Sequence, residues 1–462
     1  MGRSCYNNIM ENIVERVLKE NCTKQDVFFV FPTQTAADLW SDKIIQISSV
    51  TAIASERFIA WDDFKGTAVR GKEQNRRAIP SSVRKFFAQT IIRQNAGEPF
   101  LKNVIPVAYA SSANNFSNYI SSLLPSLAMW KKYFDKSSSK ADEVDEDLQE
   151  IYNRYKAFLD KHSLFDPAWE TPPFESNGKK YYIFFPEILS DYIEYKEILS
   201  SSKDITIVSL PEESESDRPP VSFFSNSRQE IKNVALYLKK IHAEKNIPWN
   251  KMAVSIPDME NYRPYVERDF DLYEIPYVLR DGLALSSYGA GAFFSQLKDC
   301  LQNNFSFESL KTLLLNNRLP WLEKELNEAL IDFGRENNCI CSFDEKGCEV
   351  DVWLKSFEKN PQEEHLKRYY KMLKEKISNI VRAKSFSEVR KFYFELRDKI
   401  FDKSKFSPIS NAVIGRCISE LGNLIDLEDE FADCLPSDPY SFFTSALAEK
   451  KYLAQTEDRG VQ

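Results

Sequence analysis

Apolar residues along this chain fall into two kinds of pattern. VFFVFP (Val27 to Pro32), YYIFFP (Tyr181 to Pro186) and ITIVSL (Ile205 to Leu210) are short runs with no polar alternation. A strand buried on both faces of a parallel sheet leaves that signature. Behind the first run, Ala36, Leu39, Trp40, Ile44 and Ile47 recur at helical spacing, with Thr33 or Thr35 as N-cap. Val50 to Trp61 holds a further strand candidate, TAIASERFIAW. From about Ser81 to His162 the chain reads as helical and polar, with an acidic run at Asp142, Glu143, Asp145, Glu146 and Asp147. Strands separated by helices argue for a parallel sheet, here interrupted by a helical insertion after the second strand.

PEESESDRPP (Pro211 to Pro220) is charged, free of large apolar residues and bounded by proline, and reads as a linker. A second α/β unit is expected beyond it. VSFF precedes Ser227-Arg228-Gln229-Glu230, a capping box, and Ile231, Val234, Ala235, Leu238 and Ile241 mark the following helix face. MAVSIP (Met252 to Pro257) reads as a strand, followed by an amphipathic stretch through Phe270 and by IPYVL (Ile275 to Leu279). From Phe305 to about Asp433 the pattern is helical and highly charged, and no fixed-period repeat is present.

Composition narrows the chemistry. Thirteen glycines in 462 residues is under half the average usage of about 7%. Gly-Lys occurs at Gly71-Lys72 and Gly178-Lys179, followed by Glu73 and Lys180, so neither is a Walker A motif. The one G-x-G, Gly289-Ala290-Gly291, lacks the third glycine of a dinucleotide fingerprint. No apolar run approaches the roughly 18 residues that span a bilayer. The N-terminus has no signal-peptide h-region. Eight cysteines without a secretion signal fit reduced thiols, so a cytoplasmic multidomain protein without membrane contact is expected.

Catalytic constellations are sparse. His162, His242 and His365 lie at least 80 residues apart, without ligand-spaced neighbours. Cys339, Cys341 and Cys348 lack the fourth ligand of a structural zinc site. There is no G-x-S-x-G, and Glu230-Ile231-Lys232, which has the letters of a nuclease strand, lies on the capped helix. No catalytic, metal or cofactor-binding residue is nominated. Charge is more informative than these motifs. Within a chain of net charge −8, Lys65 to Lys102 holds nine Lys/Arg against Glu73 and Glu98, and His365 to Lys405 holds thirteen against five acids. Dense cations in an acidic chain suit a local polyanion track. The residues nominated for DNA are Trp61, Phe64, Lys65, Arg70, Arg76, Arg77, Arg84 and Lys85, the rings for stacking on bases and the cations for phosphate. Phe86 and Phe87 interleave with the same stretch. The alternative is a set of solvated helix faces over core aromatics.

SFFSNSRQEIKNVALYLKKI, MAVSIPDMENYRPYVERDF and YEIPYVLRDGLAL together resemble the second motor domain of UvrD/Rep-type helicases, most closely the AddB and RecC subunits of bacterial helicase–exonuclease complexes. FFVFPTQTAADLWSDKI and RFIAWDDFK resemble the opening of that family's first motor domain, and YYIFFPEILSDYIEYKEIL stands at its Walker B strand. The resemblance implies an α/β fold of two RecA-like (P-loop NTPase-like) parallel-sheet domains, each with a helical insertion. The implied boundaries are 1–72 and 176–212 for the first domain, 73–175 for its insertion, 213–304 and 436–462 for the second domain, and 305–435 for the second insertion. Walker A is missing and at most Glu187 remains of the acidic pair, so an ATPase-inactive motor half is expected. The implied role is DNA binding in a recombinational-repair exonuclease subunit, guiding strands for an AddA/RecB-like helicase–nuclease partner. The stretch around DRGVQ leads, in that family, towards a PD-(D/E)XK nuclease domain. The expectation is therefore an N-terminal fragment, with any Mg²⁺ or iron–sulfur cluster belonging to the part beyond Gln462. Two rival readings are a protein-interaction scaffold that kept the helicase shape without DNA binding, and an active ATPase with an unusual loop.

Overall fold

The computed structural model describes residues 13–47, 52–68, 76–136, 143–171, 174–210, 221–279, 282–453 and 460–461. The proline-bounded linker at 211–220 lies outside the described residues. The chain divides into two units, Met1–Val221 and Ser222–Gln462.

The first unit is built on a four-stranded sheet of β1 (Val27–Phe31), β2 (Phe58–Ala60), β5 (Lys180–Phe184) and β6 (Ile205–Val208), in the order β2-β1-β5-β6 with every pair parallel. The unbroken apolar runs became the strands because both faces of the sheet are covered. Val27, Phe29 and Phe31 face α1 (residues 13–21) and α2 (Gln34–Ile47), packing on Val14, Leu18, Ala37 and Ile44. Val30, Tyr181 and Ile183 face the other way, onto Trp61 and Phe64 of α3 (Trp61–Ala68) and Tyr192, Tyr195 and Leu199 from the region of a later helix. Burying each such side chain stabilises the fold by about 1.5–3 kcal/mol.

Two edges differ from expectation. The Val50–Trp61 candidate yields only three strand residues. Ser55–Arg57 forms a 3-10 turn instead, because Arg57 is buried and donates to the carbonyls of Val27 (2.7 Å), Cys22 (2.8 Å) and Lys24 (2.5 Å). Trp61 opens α3 with Asp62 and Asp63 in its first turn, where the helix dipole favours anions. The strand expected at Tyr181–Phe185 runs one residue earlier, since Phe185 adopts a left-handed φ of 52° to turn its ring into the core.

The stretch read from the sequence as helical, Ser81 to His162, is mostly helical where described, with a non-helical turn at 98–106. It contains α4 (Ser81–Gly97), α5 (Phe116–Leu123), α6 (Leu127–Phe134) and α7 (Glu143–Lys161). A parallel two-residue ladder between β3 (Arg77–Ala78) and β4 (Leu164–Phe165) closes its base. One member of the acidic run is internal: Asp147 accepts the backbone N–H groups of Lys102 (3.0 Å), Asn103 (2.6 Å) and Val104 (2.8 Å). α8 (Tyr192–Ser201) completes the unit.

The second unit begins with α9 (Ser227–Lys245), whose N-cap is Asn226 rather than Ser227. The Asn226 side chain accepts Gln229 N at 2.9 Å, and Glu230 accepts the Tyr262 hydroxyl instead of closing a capping box. Met252–Ile256, expected as a strand of a second parallel sheet, pairs with no neighbour among the described residues. Its alternating residues Met252, Val254 and Ile256 cover α9 and α10 (Met259–Leu272), but no ladder of described residues flanks it. Ladder bonding nearby is confined to Val278 N to Val461 O (2.7 Å) and Val461 N to Pro276 O (2.8 Å). Among the described residues the second unit therefore shows one parallel bridge, isolated antiparallel bridges at Trp321–Phe401 and Phe343–Glu349, and an antiparallel pair, β7 (Leu283–Ala284) with β8 (Lys451–Tyr452). One half-buried face gives the alternation, and a sheet needs neighbours as well.

The rest is a helical body of α11 (Ala292–Gln302), α12 (Phe307–Leu314), α13 (Lys324–Glu336), α14 (Val352–Lys359), α15 (Glu364–Val381), α16 (Phe386–Ile400), α17 (Pro408–Ile425) and α18 (Pro439–Glu449). Phe294 of α11 meets Tyr393 of α16 and Phe443 of α18, and the Tyr440 hydroxyl donates to Phe294 O at 2.7 Å. Both end helices thus pack within the body, which runs from 292 to 449. Gly291 opens it at a point where a Cβ would stand 1.9 Å from Leu285 O, so the lone G-x-G serves close packing.

Candidate functional site

In an open parallel sheet, ligands bind outside the carboxyl ends of the strands where the strand order reverses. Here that point lies between β1 and β5. A phosphate loop is an eight-residue glycine-rich crossing from strand to helix, with bare N–H groups facing the ligand. The crossing after β1 is only Pro32 and Thr33 before α2 starts at Gln34. Thr33 Oγ1 accepts Ala36 N at 3.2 Å, so the side chain occupies a donor of the first turn. Phe31 and Phe184 stack at 4.8 Å on the strand ends below. Glu187 is exposed on the turn after β5.

The nominated DNA residues lie beside this edge, and the structure uses most of them internally. Trp61 and Phe64 are 2% and 0% exposed, so neither offers a face to a base. Trp61 Nε1 donates to Asp191 Oδ1 at 2.8 Å, and Phe64 packs edge-on to Tyr181. Phe86 and Phe87 are core as well. These rings are a correction to the stacking expectation: α3 and α4 present them to the sheet and to α7.

Lys65 is held by Asp191 and by Asp62 at 2.9 Å. Burial lowers its pKa, but the hydrogen bonds to Asp191 and Asp62 outweigh that and hold it above the ordinary lysine value. Arg76 donates to Leu164 O through Nε (2.9 Å) and Nη2 (2.7 Å) and pairs with Glu170. Arg84 Nη2 reaches Asp166 Oδ2 at 3.0 Å, and the Tyr155 hydroxyl donates to the same oxygen at 2.7 Å. Burial opposes the Arg84 charge, and Asp166 more than restores it, so its pKa is raised. Burial, with Asp166 next, pushes the Tyr155 hydroxyl far above its usual value. Arg77 and Lys85 are half-buried, on β3 and α4. Arg70 lies outside the described residues.

Sequence reading missed the acidic partners. Asp166, Glu170 and Asp191 are the residues that organise this cluster, and Glu194 sits close enough to Asp191 and Asp166 to have its own pKa raised, first by burial and then by both carboxylates. Asp166 and Asp191 stand 82 and 126 residues from the cations they hold, beyond any spacing rule. The arrangement can position helices and exclude water. It brings no nucleophile and base together, and among the described residues no group of three or more His, Cys, Asp or Glu could hold a metal ion.

Elsewhere, Cys339 is buried with its thiol 3.4 Å from Ser356 Oγ, while Cys341 and Cys348 are exposed around a turn at Gly347. No described helix is long and apolar enough to cross a membrane.

Comparison with known proteins agrees with this layout. Residues 14–209 match the family model described as the Treponema TP0900 N-terminal P-loop domain, and residues 286–453 match the one described as the Treponema TP0900 fourth helical domain. An uncharacterized protein of Treponema pallidum (strain Nichols) is 29% identical over 494 residues, which covers 95% of this chain and 62% of that protein. The B subunit of the ATP-dependent helicase/deoxyribonuclease of Clostridium perfringens (strain 13 / Type A) is 24% identical over 34% of this chain and 13% of its own length. Its counterpart in Clostridium novyi (strain NT) is 30% identical over 20% of this chain and 8% of its own length. The chain thus spans less than two thirds of each of these relatives. It is an α/β protein with an N-terminal domain of P-loop type, distantly similar over part of its length to helicase/deoxyribonuclease B subunits.

Proposed function

We propose that this chain is the helicase-like, ATPase-inactive region of a subunit that handles DNA during recombinational repair. Its role is to guide strands for a partner helicase–nuclease subunit and for a nuclease domain beyond this chain. The observation that carries the inactive half of this reading is the crossing after β1. Two residues, one of them proline, replace the phosphate loop, and Thr33 caps the helix where an ATP phosphate would need free N–H groups. Asp191, the acid nearest the Walker B position apart from Glu187, is committed to Trp61 and Lys65. ATP–Mg²⁺ does not fit this edge. The DNA half rests on the partial similarity to the two B subunits. A second reading, a protein-interaction scaffold, is favoured by the internal use of Trp61, Phe64, Arg76 and Arg84.

One purified protein tests both halves. Calorimetry with ATP–Mg²⁺ should show no binding, and hydrolysis should stay at background; stoichiometric tight binding would reverse the inactive assignment. Labelled single-stranded and duplex DNA should bind at low salt with affinity falling as salt rises. No binding to either, even at low salt, leaves the scaffold reading.

A further inference from the structure

Between Pro99 and Phe134 the chain contains no Asp or Glu, although acids make up 69 of its 462 residues. The same stretch carries Lys102, Lys131 and Lys132 and is rich in Ser, Asn and aromatic residues. Its last part is a nearly continuous helical run: α5, a 3-10 turn at Leu124–Ser126, then α6. The buried positions of this run are Ser117, Ile120, Ser121, Leu124 and Leu127. On the opposite side, Tyr119, Ser122, Ser126, Met129, Tyr133 and Lys136 follow one another at intervals of three or four and all face solvent. The rings and the thioether are large exceptions to ordinary burial: Tyr119 is 53% exposed, Met129 61% and Tyr133 69%. Phe116 and Lys132 border the same stripe and are exposed. Scattered apolar surface residues are normal, but a stripe of them along one helical run marks an interaction surface.

We propose that this stripe is a docking surface for single-stranded nucleic acid, with bases stacking on Tyr119 and Tyr133 and phosphates meeting Lys132 and Lys136. The proposal rests on the nucleic-acid reading of the chain and goes beyond it by naming the surface. Charge complementarity selects the occupant. A phosphate backbone is repelled by carboxylates, and the stripe offers exposed aromatic faces and ammonium groups with no carboxylate of its own from Pro99 to Phe134; the acids at its border are Asp135, paired with Lys131, and Asp145, which accepts Trp130 Nε1 at 3.3 Å. Lys131 is paired with Asp135, the first acid after the stretch, whereas Lys132 holds no carboxylate among the described residues. Tyrosine suits the task because every base has a face on which it can stack. At about 1.5 Å per residue, the two rings stand on the order of 20 Å apart along the run, room for several nucleotides.

The test uses the full chain with a fluorescent oligothymidylate at low and rising salt. Tyr119→Ser with Tyr133→Ser should weaken binding about tenfold or more, with little change in salt slope. Because both rings face solvent, the melting temperature should stay at that of the unchanged chain. Tyr119→Phe with Tyr133→Phe should restore the affinity. Lys132→Gln with Lys136→Gln should flatten the log–log salt slope by about 0.7 for each phosphate that is no longer neutralised. If the unchanged chain binds the oligonucleotide and the double serine variant binds equally well, the stripe is not the surface and the DNA reading survives. If the unchanged chain binds no DNA at any salt, the DNA reading fails and the stripe proposal falls with it. If the unchanged chain self-associates and the serine variant does not, the stripe is a protein surface and the proposal is overturned.

Discussion

Residues 65–102 and 365–405 carry almost the same excess of positive charge, and the fold leaves more cations of the second tract exposed, although there too Asp351 closes on Lys374 at 2.6 Å. In the first tract, acids from distant segments return onto the cations. Asp191 closes on Lys65, Glu170 on Arg76 and Asp166 on Arg84, each at least partly shielded from water. In the second tract, α15 and α16 form a helical hairpin tied by Lys376–Glu395 at 2.8 Å. Six of its cations, Arg368, Lys371, Arg382, Lys384, Arg390 and Lys391, point to solvent with no carboxylate at ion-pair distance among the described residues. The linear density of charge counts cations. Whether they are structural depends on which acids fold back, and that is a property of topology.

The comparison breaks first on stability. Phe64→Ala should destabilise the first unit by about 3–5 kcal/mol, because a fully buried ring leaves a cavity beneath the sheet. Asp166→Ala should cost on the order of 3 kcal/mol, since it strands the Arg84 guanidinium and the Tyr155 hydroxyl in a shielded site. Urea unfolding of the two variants measures both. A loss below about 0.5 kcal/mol for either, the size of an ordinary surface change, would show that the first tract is not structural.

The same contrast explains what could be read from the sequence. β1 and β5 were legible because a strand covered on both faces must be apolar throughout, and edge strand β6, half-buried with Thr206 exposed, was legible from its apolar run alone. The helical insertion was legible from its period and its polarity. Met252–Ile256 misled because its alternation reports one buried face, and helices α9 and α10 supply that face without a flanking strand. Trp61 and Phe64 misled because they stand at the edge of the basic tract that begins at Lys65, while their neighbours in space are Val30, Tyr181 and Tyr195. The ion-pair network was invisible because its acids lie after β4 and beside α8, far along the chain from the cations they hold. The stripe on α5 and α6 left a trace in the sequence as a missing letter, the absent carboxylate. Only the burial of Ile120, Leu124 and Leu127 on the other side of the run separates it from a core face.

A smaller effect sharpens the comparison through pH. Lys65 has a folded pKa above its ordinary value, which means that the folded state binds this proton more tightly than the unfolded chain. The stability it contributes is therefore complete below the unfolded lysine pKa of about 10.4 and is lost as pH rises through the higher folded value. Lys65→Gln should cost about 1–2 kcal/mol near pH 8, and the gap to the unchanged chain should narrow as pH rises past about 10.4. Lys371→Gln, on the exposed side of α15, should show a difference near zero at every pH. A gap for Lys65→Gln that does not narrow as pH rises past about 10.4 would mean that its packing, not its charge, is what the fold uses.

The smallest effect is expected where the cations are densest. Replacing Arg382, Lys384, Arg390 and Lys391 together by Gln removes four exposed charges around the turn between α15 and α16. Stability should change by no more than about 0.5 kcal/mol, because exposed groups without partners contribute little. The salt slope of DNA binding should also hold, and the reason lies in what surrounds these residues. Glu388 accepts Lys384 N at 2.7 Å, and Glu428 reaches across to the start of α16, accepting Phe386 N and the Ser387 hydroxyl. Glu428 belongs to an acidic segment that also holds Asp426, Asp429, Glu430 and Asp433. Carboxylates within about 10 Å offset the local field at moderate ionic strength. A phosphate backbone approaching this turn meets several acids, whereas on the stripe of α5 and α6 Lys132 and Lys136 are exposed and the neighbouring Asp135 is held by Lys131. A flattened slope in the fourfold variant, with an unchanged slope in Lys132→Gln with Lys136→Gln, would reverse that ranking and move the nucleic-acid surface to the second unit.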